Sequence, residues 1–177
     1  IRLIVNYINP HALIVTETNL PRKENLSYFG NNDEANWIYN FPLPPLILYT
    51  FLFEDSSKIS GWSKSMPPAQ INNAYLNFIA SHDGIGMRPA EGILDNIILD
   101  KLFKRVKKNG GKFSFRKVET KNKVYEANIT LFDALKRTDF DKDGIFAVER
   151  YIAAHSILLA LEGVPAIYLN SLFGTCL

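Results

Sequence analysis

Twice in this chain a short apolar run ends in a carboxylate, followed by residues that stop the run from continuing. Ala12-Leu13-Ile14-Val15 leads into Thr16-Glu17-Thr18-Asn19, with Pro21 just beyond. Phe78-Ile79-Ala80 leads into Ser81-His82-Asp83, and Gly84 and Gly86 then allow a sharp turn. An acid at the point where a buried strand meets its loop is where α/β barrels gather their chemistry. A fold that honours both runs must bring two such strand ends to one rim. That requirement constrains the chain more than its bulk composition does.

The intervening segments alternate in the way this requires. Apolar residues at 1, 4, 5 and 8 predict a helix over Ile1–Ile8, and a strand follows over Ala12–Thr16. The stretch 19–35, rich in Pro, Asn, Gly and charge, reads as a functional loop with a short helical turn. Asn36–Phe41 predicts a strand, Leu46–Phe53 a buried helix opened by Pro44 and Pro45, and Ser56–Met66 a short helix capped by Ser56 or Ser57. Tyr75–Ser81 predicts the third strand, Asp95–Lys108 a helix stopped by Gly110-Gly111, and 112–118 with 124–129 a hairpin turning at Lys121-Asn122-Lys123. A short helix over Thr130–Lys136, a long one over Gly144–Glu162 and a strand over Val164–Asn170 complete the order. Strands separated by helices imply a parallel sheet, because each crossover needs a helix to return the chain. Four such strands leave two open edges, the expectation for half a barrel, and predict self-association through those edges.

The 177 residues suffice for one domain, and 47% hydrophobic with 21% charged residues is a globular composition. A net charge of +2 is too balanced for a nucleic-acid partner. The basic run Lys101–Lys112 is expected to be the solvated face of a helix. One cysteine, Cys176, excludes a disulfide within the chain and predicts a reducing compartment, the cytoplasm. No apolar run is long enough to cross a membrane as a helix. The start at Ile1 carries no methionine, does not look like a signal peptide and reads as the middle of a helix.

Thr16-Glu17-Thr18-Asn19, Glu24–Gly30, Tyr39-Asn40-Phe41-Pro42-Leu43-Pro44-Pro45-Leu46, Asn77–Met87 and Gly163-Val164-Pro165-Ala166-Ile167-Tyr168 together resemble the sucrose phosphorylase branch of the alpha-amylase superfamily. The resemblance is nearest to its glucosylglycerate and sucrose phosphorylase-like enzymes. It implies a partial (β/α)8 TIM barrel, strands five to eight, over residues 1–177, with a helix-plus-hairpin insertion at about 88–130. It further implies phosphorolysis of an α-glucoside to glucose 1-phosphate, with a small sugar substrate, phosphate as co-substrate and no cofactor or metal. Hydrolysis or transglucosylation on the same scaffold is the alternative chemistry. By the resemblance Glu17 is the general acid/base and Asp83 the carboxylate that stabilises the transition state, with His82 beside it binding the sugar. Asn19 is placed with them as substrate-binding, and Arg88, just past the glycines, reads as a rim residue for acceptor or phosphate, with pairing to solvent as the alternative. The nucleophile of the family, an aspartate in an Arg-x-Asp setting at the end of strand four, is expected before Ile1. The isolated chain is therefore expected to be inert, and the tail Gly174–Leu177 departs from the family pattern.

Retaining glucosyl transfer needs a nucleophilic and a protonated carboxyl roughly 5–5.5 Å apart. The apolar run ahead of Glu17 predicts a buried side chain, and Asp83 is expected to grip sugar hydroxyls as positive charge develops on the ring. Gly84-Ile85-Gly86 lacks the third glycine of a dinucleotide loop. His11 is expected at the surface and His155 in the core. Asp139-Phe140-Asp141-Lys142-Asp143-Gly144 imitates half a calcium loop, but its twelfth position is Arg150, a cation where a bidentate Glu is required. Asp143 is instead expected to cap the following helix.

Overall fold

Parallel pairing of short apolar segments organises the computed structural model, which describes residues 1–118 and 120–176. Leu177, the end of the departing tail, lies outside them. Strands β1 (Val15–Thr16), β2 (Trp37–Tyr39), β3 (Ala74–Asn77) and β7 (Val164–Pro165) form one sheet in that order, all parallel. Thr16 stands beside Ile38, Ile38 beside Tyr75, and Leu76 beside Val164. Helices α1 (Arg2–Ile8), α2 (Arg22–Ser27), α3 (Leu43–Phe53), α4 (Ser57–Ser65), α5 (Asn96–Lys108), α6 (Leu131–Leu135), α7 (Ala147–Ala160) and α8 (Leu169–Leu172) fill the intervals. The result is an α/β fold on a parallel sheet. Among the described residues no helix is long and apolar enough to cross a membrane.

The core is built on α3. Leu43, Leu46, Ile47, Leu48 and Leu52 are all fully buried, as expected of a helix that is apolar on every side. Pro44 and Pro45 occupy its first turn, where a missing N–H costs nothing, and Glu54 ends it in a left-handed conformation (φ 54°).

A second sheet, β4 (Ile85–Gly86), β6 (Lys121–Asn128) and β5 (Lys112–Val118), is antiparallel and carries the hairpin. The hairpin turns between Val118 and Lys121, earlier than the sequence predicts, because Lys121 already pairs with Val118. It also recruits Ile85 and Gly86, so the second sheet reaches back to the loop of Asp83.

Other expectations need correction. The predicted strand over Tyr75–Ser81 ends at Asn77 and the one over Val164–Asn170 at Pro165, because each segment leaves the ladder once its last partner is met. Phe78 and Ile79 stay buried without being strand, which is why an apolar run overstates strand length. The basic face of α5 is not wholly solvated: Arg105 is buried and paired with Asp139. Asp55, and neither serine hydroxyl, accepts from the Ser57 N–H at the start of α4 (2.8 Å).

Asp143 does not cap α7 either. The helix begins three residues later than Gly144, and the Asp141 carboxylate accepts the N–H groups of Gly144, Ile145 and Phe146 at 2.9–3.0 Å. The bonds from Phe146 and Ile145, that from Phe146 foremost, with the Arg150 guanidinium 2.8 Å away, hold Asp141 down at about 2. Arg150 also donates to the Leu135 and Lys136 carbonyls, tying α7 to the end of α6. His11 is exposed as expected, whereas His155 is only half-buried and lines a groove beside α7.

Candidate functional site

Side-chain amides fix the strand ends that carry the acids. Asn36 Oδ1 accepts the Ile14 N–H (2.9 Å), holding β1 against β2. Thr18 donates to Asn25 Oδ1 and Asn25 Nδ2 donates to the Tyr39 carbonyl, both at 2.8 Å, so α2 pins the loop after Glu17 to the end of β2. Buried Asn40 donates to Asn77 Oδ1 (2.8 Å), and Asn77 Nδ2 donates to the Glu162 carbonyl (2.9 Å), which joins β2, β3 and the approach to β7. Gly163 completes that junction. At φ +128° it lies where a Cβ would come within 2.4 Å of the Tyr75 carbonyl oxygen.

At the C-terminal end of the parallel sheet, Glu17, one residue past β1, and Asp83, on the loop after β3, open on one cavity of about 190 Å³. Its lining includes Tyr39, Phe41 and Phe78, which pack as a ring cluster with centroids 5.2–5.6 Å apart. Asn19 lines the same cavity, and its Oδ1 is enclosed without a hydrogen-bond partner. Gly86 makes room for it, since a Cβ there would lie 3.0 Å from Asn19 Nδ2. Arg88 donates to the Asn19 carbonyl (3.3 Å) and so supports the loop from below.

The structure therefore brings Glu17, Asn19 and Asp83 together, with Arg88 behind them. His82 stands apart. Its ring Nε2 lies 3.2 Å from Asp83 Oδ1, but the residue lines a neighbouring cavity of about 400 Å³ on the other side of the Ser81–Gly84 loop. Glu17 is exposed, which corrects the expectation of burial: Val15, on the strand just before it, is itself 42% exposed.

Sequence reading missed the hairpin's contribution. Glu126 and Tyr125 of β6 line the cavity, because Glu126 stands opposite Gly86 in the β4–β6 ladder. Burial, and secondarily the charge of Asp83, push the Glu126 carboxyl above its ordinary range. Burial, and then the charge of Glu17, push the Tyr39 phenol upward as well. The only available signal was the glycine pair after Asp83, which permits another strand to approach closely: at Gly84 (φ +100°) a Cβ would lie 2.7 Å from the Ala127 carbonyl oxygen.

An apolar floor under several carboxyls suits a polyhydroxylated ring that acquires positive charge as it reacts. Among the described residues no group of three His, Cys, Asp or Glu side chains has a geometry to hold a metal ion.

No known family profile matches the chain. It is 42% identical over 175 residues to a glucosylglycerate phosphorylase of Allomeiothermus silvanus, a match that covers 98% of this chain and 32% of that protein. It is 36% identical over 177 residues to the glucosylglycerate phosphorylase of Escherichia coli, covering 99% of the chain and 31% of the relative. Sucrose phosphorylases match at lower identity. The crystal structure of a sucrose 6F-phosphate phosphorylase from Thermoanaerobacter thermosaccharolyticum superposes on 92% of this chain and 30% of its own, with a TM-score of 0.73 and 21% identity. The chain thus spans about a third of the length of the relatives it matches.

Proposed function

We propose, for a chain whose homologues are glucosylglycerate phosphorylases and sucrose phosphorylases, that it carries the acid/base side of a retaining glucosyl-transfer site. In this reading β1, β2, β3 and β7 are strands five to eight of a (β/α)8 barrel. Glu17 delivers a proton to the oxygen leaving the anomeric carbon. Asp83 holds hydroxyls of the glucosyl ring and offsets the positive charge that develops on it. Asn19 presents its unpartnered amide oxygen to a substrate hydroxyl, Arg88 positions that loop, and His82 orients Asp83. Phosphate accepts the glucosyl group in the second step, releasing an α-glucoside's sugar as glucose 1-phosphate.

One observation carries this reading: Glu17 and Asp83 open on a single cavity above the rings of Tyr39, Phe41 and Phe78. The cavity's carboxyl side chains are Glu17, Asp83 and Glu126, and none stands in the Arg-x-Asp setting of the family's nucleophile. The chain alone is therefore expected to bind a glucosyl-like ring without turning it over.

Calorimetric titration with a cationic iminosugar of glucose configuration tests this, since that ring imitates the charge of the transition state. Saturable binding is expected, weakened about tenfold or more by Asp83→Asn, the scale of a lost charge-assisted hydrogen bond. Absence of binding, or equal binding by D83N, would overturn the assignment. Release of glucose 1-phosphate from glucosylglycerate and phosphate by the chain alone would overturn the expectation of inertness.

A further inference from the structure

Successive residues of a strand point to opposite faces, yet Tyr125 and Glu126, neighbours on β6, both line the cavity of Glu17 and Asp83. A break in the ladder reconciles the two. Ser114 of β5 stands opposite Glu126 and Phe115 stands opposite Val124, so Tyr125 is the extra residue of a β-bulge. A one-residue slip that removed the bulge would turn Glu126 to the other face. The bulge is held on both sides. Toward β4, Gly86 stands opposite Glu126, and Met87 donates its N–H to the Tyr125 carbonyl (2.9 Å). Toward the hairpin turn, Arg116 stands opposite Lys123, two cations that would push the strands apart. Glu91 answers both. Its carboxylate accepts from Arg116 at 3.0 and 3.2 Å and lies 4.0 Å from the Lys123 ammonium. Arg116 relies on that contact, since its side chain is only 26% exposed and its Nε is enclosed without a hydrogen-bond partner among the described residues.

We propose that Glu91 is a positioning residue: its carboxylate, set between Arg116 and Lys123, holds β6 in the bulged register that turns Tyr125 and Glu126 together toward Glu17 and Asp83. Glu91 does not line the cavity and acts only through the hairpin. It is itself held by a short 3-10 turn, Arg88–Ala90, in which Pro89 and Ala90 are buried and the Arg88 carbonyl accepts the Glu91 N–H (3.0 Å). The Arg88 guanidinium, at the start of that turn, donates to the Asn19 carbonyl. One turn therefore braces two walls of the cavity, the Asn19 loop through Arg88 and the hairpin through Glu91. The bearing of Glu91 on substrate rests on the glucosyl site proposed above; its bearing on the register does not.

Amide hydrogen exchange of the full chain, read by NMR, tests the proposal. The Met87 amide reports on the bulge through its bond to Tyr125, and the Leu48 amide, inside α3, reports on the core. Glu91→Gln is expected to speed exchange at Met87 about tenfold or more, the scale of a lost charge-assisted hydrogen bond, and to leave Leu48 unchanged. The Glu126 midpoint is expected to fall in the same variant as that carboxyl loses its burial. Exchanging the charges, Glu91→Arg with Arg116→Glu, is expected to restore both readouts, because the pair is remade and an anion again stands beside Lys123. Binding of the cationic iminosugar should weaken several-fold in E91Q and recover with the exchange. Met87 protection and a Glu126 midpoint unchanged by E91Q would overturn the proposal. Equal acceleration at Met87 and Leu48 would overturn it too, as a loss of global stability and not of register. A charge exchange that restores neither readout would overturn the ion pair as the cause. A parent chain that binds no iminosugar would sink the glucosyl reading alone, and the Met87 and Glu126 readouts would still decide the role of Glu91.

Discussion

Asp83, on the loop between β3 and β4, and Glu126, on β6, line one cavity, and the charge of Asp83 helps burial to hold the Glu126 carboxyl above its ordinary range. Removing that charge should show directly. Asp83→Asn is expected to lower the Glu126 titration midpoint, followed by carboxyl carbon NMR, while burial keeps it above the ordinary value. A midpoint unchanged by D83N would separate the two groups.

The same residue makes a claim about stability. A carboxyl whose folded-state pKa is raised costs nothing below its unfolded value and lowers stability as pH rises through the interval up to its folded value. Glu126→Gln is therefore expected to match the parent near pH 3 and to be the more stable protein at pH 7. Urea midpoints at the two pH values check this.

Asp141 works with the opposite sign. Its folded pKa of about 2 lies below the ordinary 3.8, so its stabilising contribution is complete above about pH 4 and disappears as pH falls toward 2. Asp141→Asn is expected to be destabilised at neutral pH and to flatten the acid limb of the stability profile between those values. Some of that limb should persist, because Asp55, held at about 2 chiefly by the Tyr49 hydroxyl, titrates in the same window.

Two glycines with similar backbones should respond differently to alanine. A methyl group added at Gly84 (φ +100°) would lie 2.7 Å from the Ala127 carbonyl oxygen, whereas one at Gly92 (φ +86°) would face open space. Gly92→Ala meets only the conformational penalty, about 1 kcal/mol, and Gly84→Ala is expected to cost about 2–4 kcal/mol and to disturb the Glu126 resonance. Equal losses in denaturant unfolding would mean that the hairpin does not press on the Asp83 loop.

Asn77 joins β2 and β3 to the approach to β7 through two hydrogen bonds of 2.8 and 2.9 Å while being fully buried. Asn77→Ala leaves the Asn40 amide and the Glu162 carbonyl without their partner, and about 1–3 kcal/mol of stability should be lost.

The positions of the acids were legible in the sequence because their signal is local: an apolar run, a carboxylate, then a residue that breaks the run. Glu17 could be placed at a strand end on that pattern alone, and Asp83 on the loop after a strand, although β3 ends six residues before it, at Asn77. The helices α3 and α5 were legible for the same reason, through their prolines, the Asp95 cap and the spacing of Leu99, Leu102 and Val106. Strand ends were not, since the last ladder bond depends on a partner far along the chain, as Asn77 depends on Pro165. Glu126 was hidden in an alternating hairpin that reads as solvated, and only the pairing of β6 with Gly86 turns it toward the acids. The exposure of Glu17 was equally invisible, because burial of a side chain at an edge strand is decided by whatever lies beyond that edge.

The central claim is that Glu17 and Asp83 serve one glucosyl-sized cavity. Carboxyl-selective NMR during titration with a cationic iminosugar measures it most directly. Glu17 and Asp83 are expected to shift together along a single binding curve, with Glu126 following. Shifts confined to one of the two acids, or two curves with different midpoints, would contradict the shared site.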